Sequence, residues 1–350
     1  MAILVILVKI GFFRIFRIIT LGRIGCLLDK ERIMKKLITL LALVASSMAQ
    51  AWTIDGLGEF KFEKLNNQVY VMHGPRQNPN AINRGFINNP AFIDGDNGLI
   101  LVDPSGSKYI GENVLAEIEK ISSKPIVAVI NTHAHGDHWL GNHAIKDKYP
   151  NAKFYAHMNM IKEAQYGEGD RWIEVFNEMT GGKLKGTVPV VPSYSIGDQD
   201  TLQIAGQTLH VHSPFPSSHS GSDIMVEHKN SKTLFTGDNG FNKRVGRFDS
   251  ASSMHNNIEI LKFAKSLDVE TFVPGHGQSG NAASTIDPYL HYLSTIKQEV
   301  AKGYEDDLSD FEIKPIVVEK LKDYEDWSGF EDSIGRHVNK MFTEVEDRDM

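Results

Sequence analysis

Cysteine is almost absent: Cys26 is the only one in 350 residues. A single thiol cannot close an intramolecular disulfide or build a thiolate metal site. Basic residues are also in deficit, with 37 Lys/Arg against 44 Asp/Glu and a formal net charge of −7. Nucleic-acid binding rests largely on phosphate neutralisation by Lys and Arg, so that class is disfavoured. No internal repeat and no low-complexity linker occurs. Apolar runs are short; the first 33 residues are rich in Ile, Leu and Phe, but Lys9, Arg14, Arg17 and Arg23 interrupt them. A charge near the membrane centre costs about 2.5–3.5 kcal/mol, which argues against a transmembrane helix there.

Residues 34–51, MKKLITLLALVASSMAQA, have the three parts of a secretory signal. Lys35 and Lys36 form the basic start, Leu37–Val44 the apolar run, and Ala49-Gln-Ala51 the small-residue cleavage site. The apolar run falls well short of the roughly 20 residues that span a bilayer. Residues 1–33 then read as an upstream extension from a misplaced gene start, with an amphipathic surface anchor as the alternative. Processing after Ala51 removes eight Lys/Arg, two Asp/Glu and Cys26. The mature chain of 299 residues keeps 29 basic and 42 acidic residues, a net charge of −13. Expected partners are a small-molecule substrate and no nucleic acid, with no stable membrane insertion. The location is periplasmic or secreted, and oligomeric state is unspecified.

Short strands are expected at Val69–Met72, Ala91–Ile93 and Leu99–Val102, with the turn Asp94-Gly-Asp-Asn-Gly98 between the last two. Apolar residues at 110, 114, 115, 118 and 121 give helical spacing. Ile126–Ile130 is a continuous apolar run of the buried-strand type. A helix ending near 143–149 and a strand at Lys153–Ala156 follow. Residues 158–186 are polar with helical spacing and a Gly-Gly break at 181–182, which reads as an insertion over the site. Strands resume at Leu202–Ile204, Leu209–Val211, Ile224–Val226, Thr233–Phe235 and Thr271–Val273, with a helix at about 255–267. From Ile286 the chain is helical and charged. Two strand groups flanked by helices predict an αββα sandwich over 52–292, with a helical extension at 293–350.

The chemistry concentrates in Thr132-His133-Ala-His135-Gly-Asp137-His138, directly after a buried strand. On extended backbone alternate side chains share a face, so His133 and His135 can meet one metal. Gly136 is expected to permit a sharp turn that sends Asp137 and His138 toward a second ion. A single histidine at a strand end is usually an ordinary polar residue. Three histidines and an aspartate in six residues are different, because crowding them costs desolvation and repulsion unless a cation compensates. Imidazole and carboxylate suit zinc, and suit iron as well.

Residues 132–142, THAHGDHWLGN, resemble the H-x-H-x-D-H signature of the metallo-β-lactamase superfamily, and similarity extends over most of 68–292. The resemblance implies an α/β (α+β) fold, the four-layer αββα metallo-β-lactamase sandwich, with a helical insertion and a helical C-terminal tail. It implies one metal on His133, His135 and His219, a second on Asp137, His138 and His276, and Asp238 between them. Two Zn2+ would share a hydroxide nucleophile, with Asp137 orienting it. Asp103 matches the aspartate that ends an early strand beneath the metal loop. The implied activity is hydrolysis of an ester, thioester, lactone or β-lactam. Asp238 is similar to the bridging carboxylate of glyoxalase II-like hydrolases, where one group of lactamases has cysteine. The insertion and tail resemble exported SoxH-like zinc hydrolases. An iron-containing redox or sulfur-compound protein, and a non-catalytic periplasmic accessory, are the competing classes.

Other features read as structure first. His212 is a weaker rival to His219, and His143 and His157 are supporting residues near the site. His73, His210, His228, His255, His291 and His337 read as ordinary surface or core positions. Trp172, Tyr166 and Phe176 are candidates for a lid, although aromatics at helical spacing usually pack. Asn239, Asn242, Lys243 and Arg244 follow Asp238 and could meet an anionic group or form a solvated loop. Trp327 and Phe330 are expected to pack the tail on the sandwich or on a second subunit.

Overall fold

The computed structural model describes residues 52–349. The upstream extension and the signal segment, 1–51, lie outside the described residues. Residues 52–118 and 124–349 belong to one compact unit.

Strands β1 (Trp52–Ile54) and β2 (Gly58–Phe60) make a small hairpin. Seven strands then form the first large sheet in sequence order: β3 (Glu63–Lys64), β4 (Val69–Val71), β5 (Ala91–Asp94), β6 (Leu99–Val102), β7 (Ile126–Ile130), β8 (Lys153–His157) and β9 (Tyr194–Ile196). The second sheet holds β10 (Thr201–Ile204), β11 (Gln207–His212), β12 (Met225–His228), β13 (Thr233–Phe241) and β14 (Thr271–His276). Pairing is antiparallel except for β6–β7–β8–β9 and β13–β14, which run parallel.

Strand alternation sorts the core into layers. Val69 and Val71, Ala91 and Ile93, Ile100 and Val102, and Ala128 and Ile130 face the second sheet. There they meet Leu209, Val211, Val226, Phe235 and Val273. The intervening Phe92, Leu99, Leu101 and Val129 face outward onto helix α1 (Lys108–Ile121), through Ile110, Val114, Leu115 and Ile118. Fully burying each of these large apolar side chains contributes roughly 1.5–3 kcal/mol. This is a period-2 pattern meeting a period-3.6 pattern across one apolar layer.

Two short helices, α2 (Gly136–Trp139) and α3 (Asn142–Lys148), follow β7, and α4 (Met158–Gln165) and α5 (Glu168–Thr180) form the insertion. α5 stops at Gly181 and Gly182, both left-handed (φ 67° and 80°), so the Gly-Gly break ends the helix as its sequence suggests. The outer face of the second sheet is covered by α6 (Met254–Ser266), α7 (Ala282–Thr285), α8 (Asp287–Glu305), α9 (Asp310–Lys320) and α10 (Phe330–Asp349). Its packing includes Leu234, Phe272, Ile258, Leu261, Tyr292, Trp327 and Phe330, all buried. The C-terminal helices therefore complete the fourth layer. Glu344 of α10 accepts from the backbone N–H of Met254 and His255 at 2.8 and 3.0 Å, so the tail caps the start of α6.

Candidate metal centre

All seven ligand-type residues converge at one edge of the sandwich, although they come from four separate segments. His133, His135, His219 and Asp238 form one group, and Asp137, His138 and His276 another, each with donor atoms within 4.8 Å of one another. The first group comes from the loop after β7, the β11–β12 loop and β13; the second from α2 and the end of β14. Parallel neighbours β6/β7 and β13/β14 end on the same side, which is what brings their C-terminal residues together.

Asp238 sits between the groups. Its Oδ2 lies 3.3 Å from His219 Nε2 and 3.9 Å from His133 Nε2; it is also 3.3 Å from His276 Nε2, while Oδ1 is 3.2 Å from His138 Nε2. Asp137 Oδ2 approaches His138 and His276 at 3.4 and 3.2 Å. Strand β13 runs to Phe241, beyond the expected Thr233–Phe235, and its register against β14 is irregular around Gly237. Gly237 has φ 52°, and a Cβ there would sit 2.7 Å from Thr132 Oγ1. A bulge of this kind re-aims the following side chain.

Each inner histidine is turned by a bond on its far nitrogen. His138 Nδ1 donates to Asp103 Oδ2 at 2.8 Å, and His276 Nδ1 donates to the Ile87 carbonyl at 2.7 Å. His133 Nδ1 is 3.0 Å from Thr132 Oγ1, whose hydroxyl itself donates to Asp103 Oδ2 at 2.7 Å. In all three the Nε2 atom is left facing the site, the arrangement that fixes ligating histidines. Asp103 also accepts from Thr132 N at 2.8 Å, and it holds a left-handed backbone, φ 49°. It lies under the metal loop, as the resemblance implies.

Electrostatics fit a cation. Burial lowers His133 well below the ordinary imidazole value and takes His219 down to about 3, so both are neutral. Burial pushes Asp238 up, but His276 and His138 outweigh it and hold the carboxyl well below the usual range; His138 and His276 do the same for Asp137. Burial pulls His138 down, yet Asp238, Asp137 and Asp103 raise it well above its ordinary value. The carboxylates thus demand positive charge at this point. His133 Nε2, His138 Nε2 and Asp238 Oδ1 are buried with no hydrogen-bond partner. Buried polar atoms of this kind are costly without a partner, and imidazole nitrogens beside carboxylates are the donor set of a divalent metal.

Gly136 departs from expectation. It opens α2 in ordinary helical backbone, and what it provides is room: a Cβ would lie 2.6 Å from Trp172 Cβ. Trp172 stacks edgewise on His135 at 5.0 Å between ring centroids, so α5 covers the site. Phe176 lines the same cavity, whereas Tyr166 is 90% exposed and takes no part in it. The anion candidates separate. Arg244 lines the cavity, with burial lowering its guanidinium pKa against the pull of Asp137 and Asp238. Lys243 points away, ion-paired with Asp326 at 3.6 Å, and Asn242 Nδ2 donates to the Ser284 carbonyl. Asn239 is buried among Ser218, Thr236 and Asn257, so its amide ties β13 to the Ser218 loop and to α6 instead of meeting a ligand. His212 pairs with Glu227 at 2.9 Å, away from the cluster. His143 accepts from Val188 N and His157 caps α4.

Two contributors escaped the sequence reading. Asp223 Oδ2 accepts from the backbone N–H of Ser218, His219 and Ser220 at 3.2, 2.7 and 2.6 Å, folding the loop that presents His219. The available signal was a carboxylate four residues after a histidine in a run of serines, the composition of a side-chain-capped turn. Arg336, on α10, lines the cavity from the far end of the chain, and no local pattern marks it.

A profile described as the metallo-beta-lactamase superfamily matches residues 83–276. The chain is 28% identical over 202 residues to a probable metallo-hydrolase of Methanocaldococcus jannaschii, covering 56% of this chain and 91% of that protein. It is 34% identical over 107 residues to a linear primary-alkylsulfatase of a Pseudomonas species, covering 30% of this chain and only 18% of that enzyme. Among solved structures, a metallo-beta-lactamase from Pontibacter korlensis superposes with TM-score 0.53 at 18% identity, covering 67% of this chain and 99% of the other. A stereoselective inverting sec-alkylsulfatase of a Pseudomonas species gives TM-score 0.63 at 15% identity, over 82% of this chain and 50% of that one. At such identities the structural likeness speaks for the fold.

Proposed function

The chain belongs to the metallo-beta-lactamase superfamily and is a metal-dependent hydrolase; from that premise we propose that it holds two zinc ions and cleaves an ester, thioester, lactone or β-lactam in a small molecule. The observation that carries this reading is Asp238, one carboxylate within 3.9 Å of His133 and His219 on one side and within 3.3 Å of His138 and His276 on the other. His133, His135 and His219 would hold one ion, Asp137, His138 and His276 the other, with Asp238 touching both. When bound, such ions polarise a carbonyl and lower the pKa of water from 15.7 to about 7. Asp137 reaches the cavity, where its carboxylate can accept a hydrogen bond from the attacking water and orient it. Trp172 covers His135 and keeps bulk water from that side.

Elemental analysis of the zinc-loaded protein should return close to two ions per chain. His219→Ala should weaken the first ion while leaving Asp137, His138 and His276 to hold the second. A screen of p-nitrophenyl esters, thioesters, lactones and β-lactams should show hydrolysis that a chelator abolishes and zinc restores. One ion at most in a fully loaded sample would end the binuclear reading. The similarity to alkylsulfatases favours including an alkyl sulfate among the substrates tried.

Export is part of the same proposal, carried by residues 34–51. No helix among the described residues is long and apolar enough to cross a membrane. Cleavage after Ala51 would make Trp52 the amino terminus. Trp52 is buried, and its backbone nitrogen donates to Glu117 Oε1, also buried, at 2.7 Å. A freed α-ammonium would turn that bond, made by a neutral amide to the Glu117 carboxyl, into an ion pair with charge on both partners. Protein recovered from its host should therefore begin at Trp52. It should also melt higher than protein that retains the preceding residues, and Glu117→Gln should erase the difference. Equal melting temperatures for the two forms would show that the terminus contributes nothing.

A further inference from the structure

We propose that the cavity over the cluster recognises small amphipathic acids: an anionic group held by arginines on one wall and an apolar portion laid along α5 on the other. This names a substrate class for the hydrolase reading above and rests on it. The cavity measures about 220 Å³, below the roughly 300 Å³ at which drug-sized pockets begin, so its ligand is small. Its floor is the cluster itself, with His135, Asp137, His219, Asp238 and His276.

The two walls differ in chemistry. On one side Trp172, Val175, Phe176 and Met179 fall at i, i+3, i+4 and i+7 of α5 and form a single stripe. Such a stripe is usually sealed in a core. Here all four line the cavity, and Met179 remains 44% exposed. Arg244 and Arg247, from the segment after β13, line the same cavity, as does Arg336 from α10. Beyond residue 51 the chain carries a formal charge of −13, so three guanidiniums on one small wall run against its overall balance. Asp332 is the one carboxylate on that wall.

Two of these arginines are held by the backbone. Arg244 Nη1 donates to the Gln77 carbonyl at 2.6 Å, and Arg336 donates through Nε and Nη2 to the Asp332 carbonyl at 3.1 and 2.8 Å. A guanidinium carries five N–H donors, so both keep donors to offer. The planar fork matches carboxylate or sulfonate oxygens, and positioning it in advance reduces the entropy lost on binding. The C-terminal extension, through Arg336, is thus a specificity-determining part of the site as well as a cover for the second sheet.

The test uses 1-hexanesulfonate, an anion that is a poor metal ligand, against uncharged 1-hexanol, by titration calorimetry on the zinc-loaded chain. Hexanesulfonate should bind at least ~10-fold more tightly than hexanol, and Arg336→Ala and Arg244→Ala should each weaken it by ~10-fold or more. Val175→Asp should weaken it as well. Arg336 is exposed and its backbone bonds stay within α10, so its variant should keep the fold and the metal even if Arg244→Ala, which loses a tie to the distant Gln77 carbonyl, does not. A kinetic arm compares mono-p-nitrophenyl glutarate with p-nitrophenyl pentanoate, and the acidic ester should show the higher kcat/KM, with the advantage lost in Arg336→Ala. Equal binding of the two probes, or sulfonate binding indifferent to both arginines, would overturn the recognition proposal while leaving hydrolysis of the neutral ester intact. Arginine-dependent sulfonate binding with neither ester cleaved would instead sustain the recognition and count against the hydrolase reading.

Discussion

Asp238→Ala is expected to leave the sandwich folded, weaken retention of one metal ion, and lower turnover by at least ~100-fold, the order seen when a group acting on the transition state is removed. The residue is 5% exposed and its carboxylate lies within 3.9 Å of nitrogens from four histidines. A carboxylate shared by two cations lowers their mutual repulsion and fixes their separation, typically ~3.5–4 Å in two-metal hydrolases. Alanine removes the bridge but keeps three protein ligands for each ion. Asp238→Asn keeps the shape and loses the charge, so it should be nearly as damaging. Circular dichroism, metal content and hydrolysis rate of both variants would be compared with the parent. Full activity with two ions bound in the alanine variant would remove Asp238 from the ligand set.

Asp103→Asn should be the second most harmful change, and it acts without touching a metal. The Asp103 carboxylate accepts three hydrogen bonds, from Thr132 N, Thr132 Oγ1 and His138 Nδ1. Asparagine tolerates the left-handed backbone at this position, so the fold should survive. Its amide has one acceptor oxygen where the carboxylate has two: placed at Oδ2 it leaves an NH2 against the Thr132 N–H, and placed at Oδ1 it leaves an NH2 facing His138 Nδ1, which favours the wrong tautomer. The expected loss is about 10–100-fold in affinity at the site using His138, as for other second-layer partners of ligating histidines. Asp103→Ala should cost more in stability, since each buried donor left without an acceptor costs roughly 1–3 kcal/mol. Chelator-competition titration would measure the affinity, and an unchanged value in the asparagine variant would show that Asp103 does not orient His138.

Local pattern was enough for much of this protein. The alternation of Val69/Val71, Ile100/Val102 and Ala128/Ile130 set which face each strand buries, since the side-chain period of a strand is two. The Gly-Gly break after α5 and the histidine run after β7 were equally legible, because a helix stop and a strand-end loop are decided within a few residues. Strands β1 to β3 and β9 were missed; at two or three residues each they carry no measurable period and are held by neighbours. Gly136 was understood wrongly from sequence, because the atom that forbids a side chain there belongs to Trp172, 36 positions away. What the sequence determined by itself was the layered αββα scheme and the four donors His133, His135, Asp137 and His138, whose types and short-range spacing already imply a metal; His219, Asp238 and His276 entered through the family resemblance. What only the tertiary structure decided was which outer atoms orient those donors and which charges face them. Asp223 beneath His219, and Arg336 beside Arg244, act through space, and nothing in the residues adjacent to them in the chain carries that information.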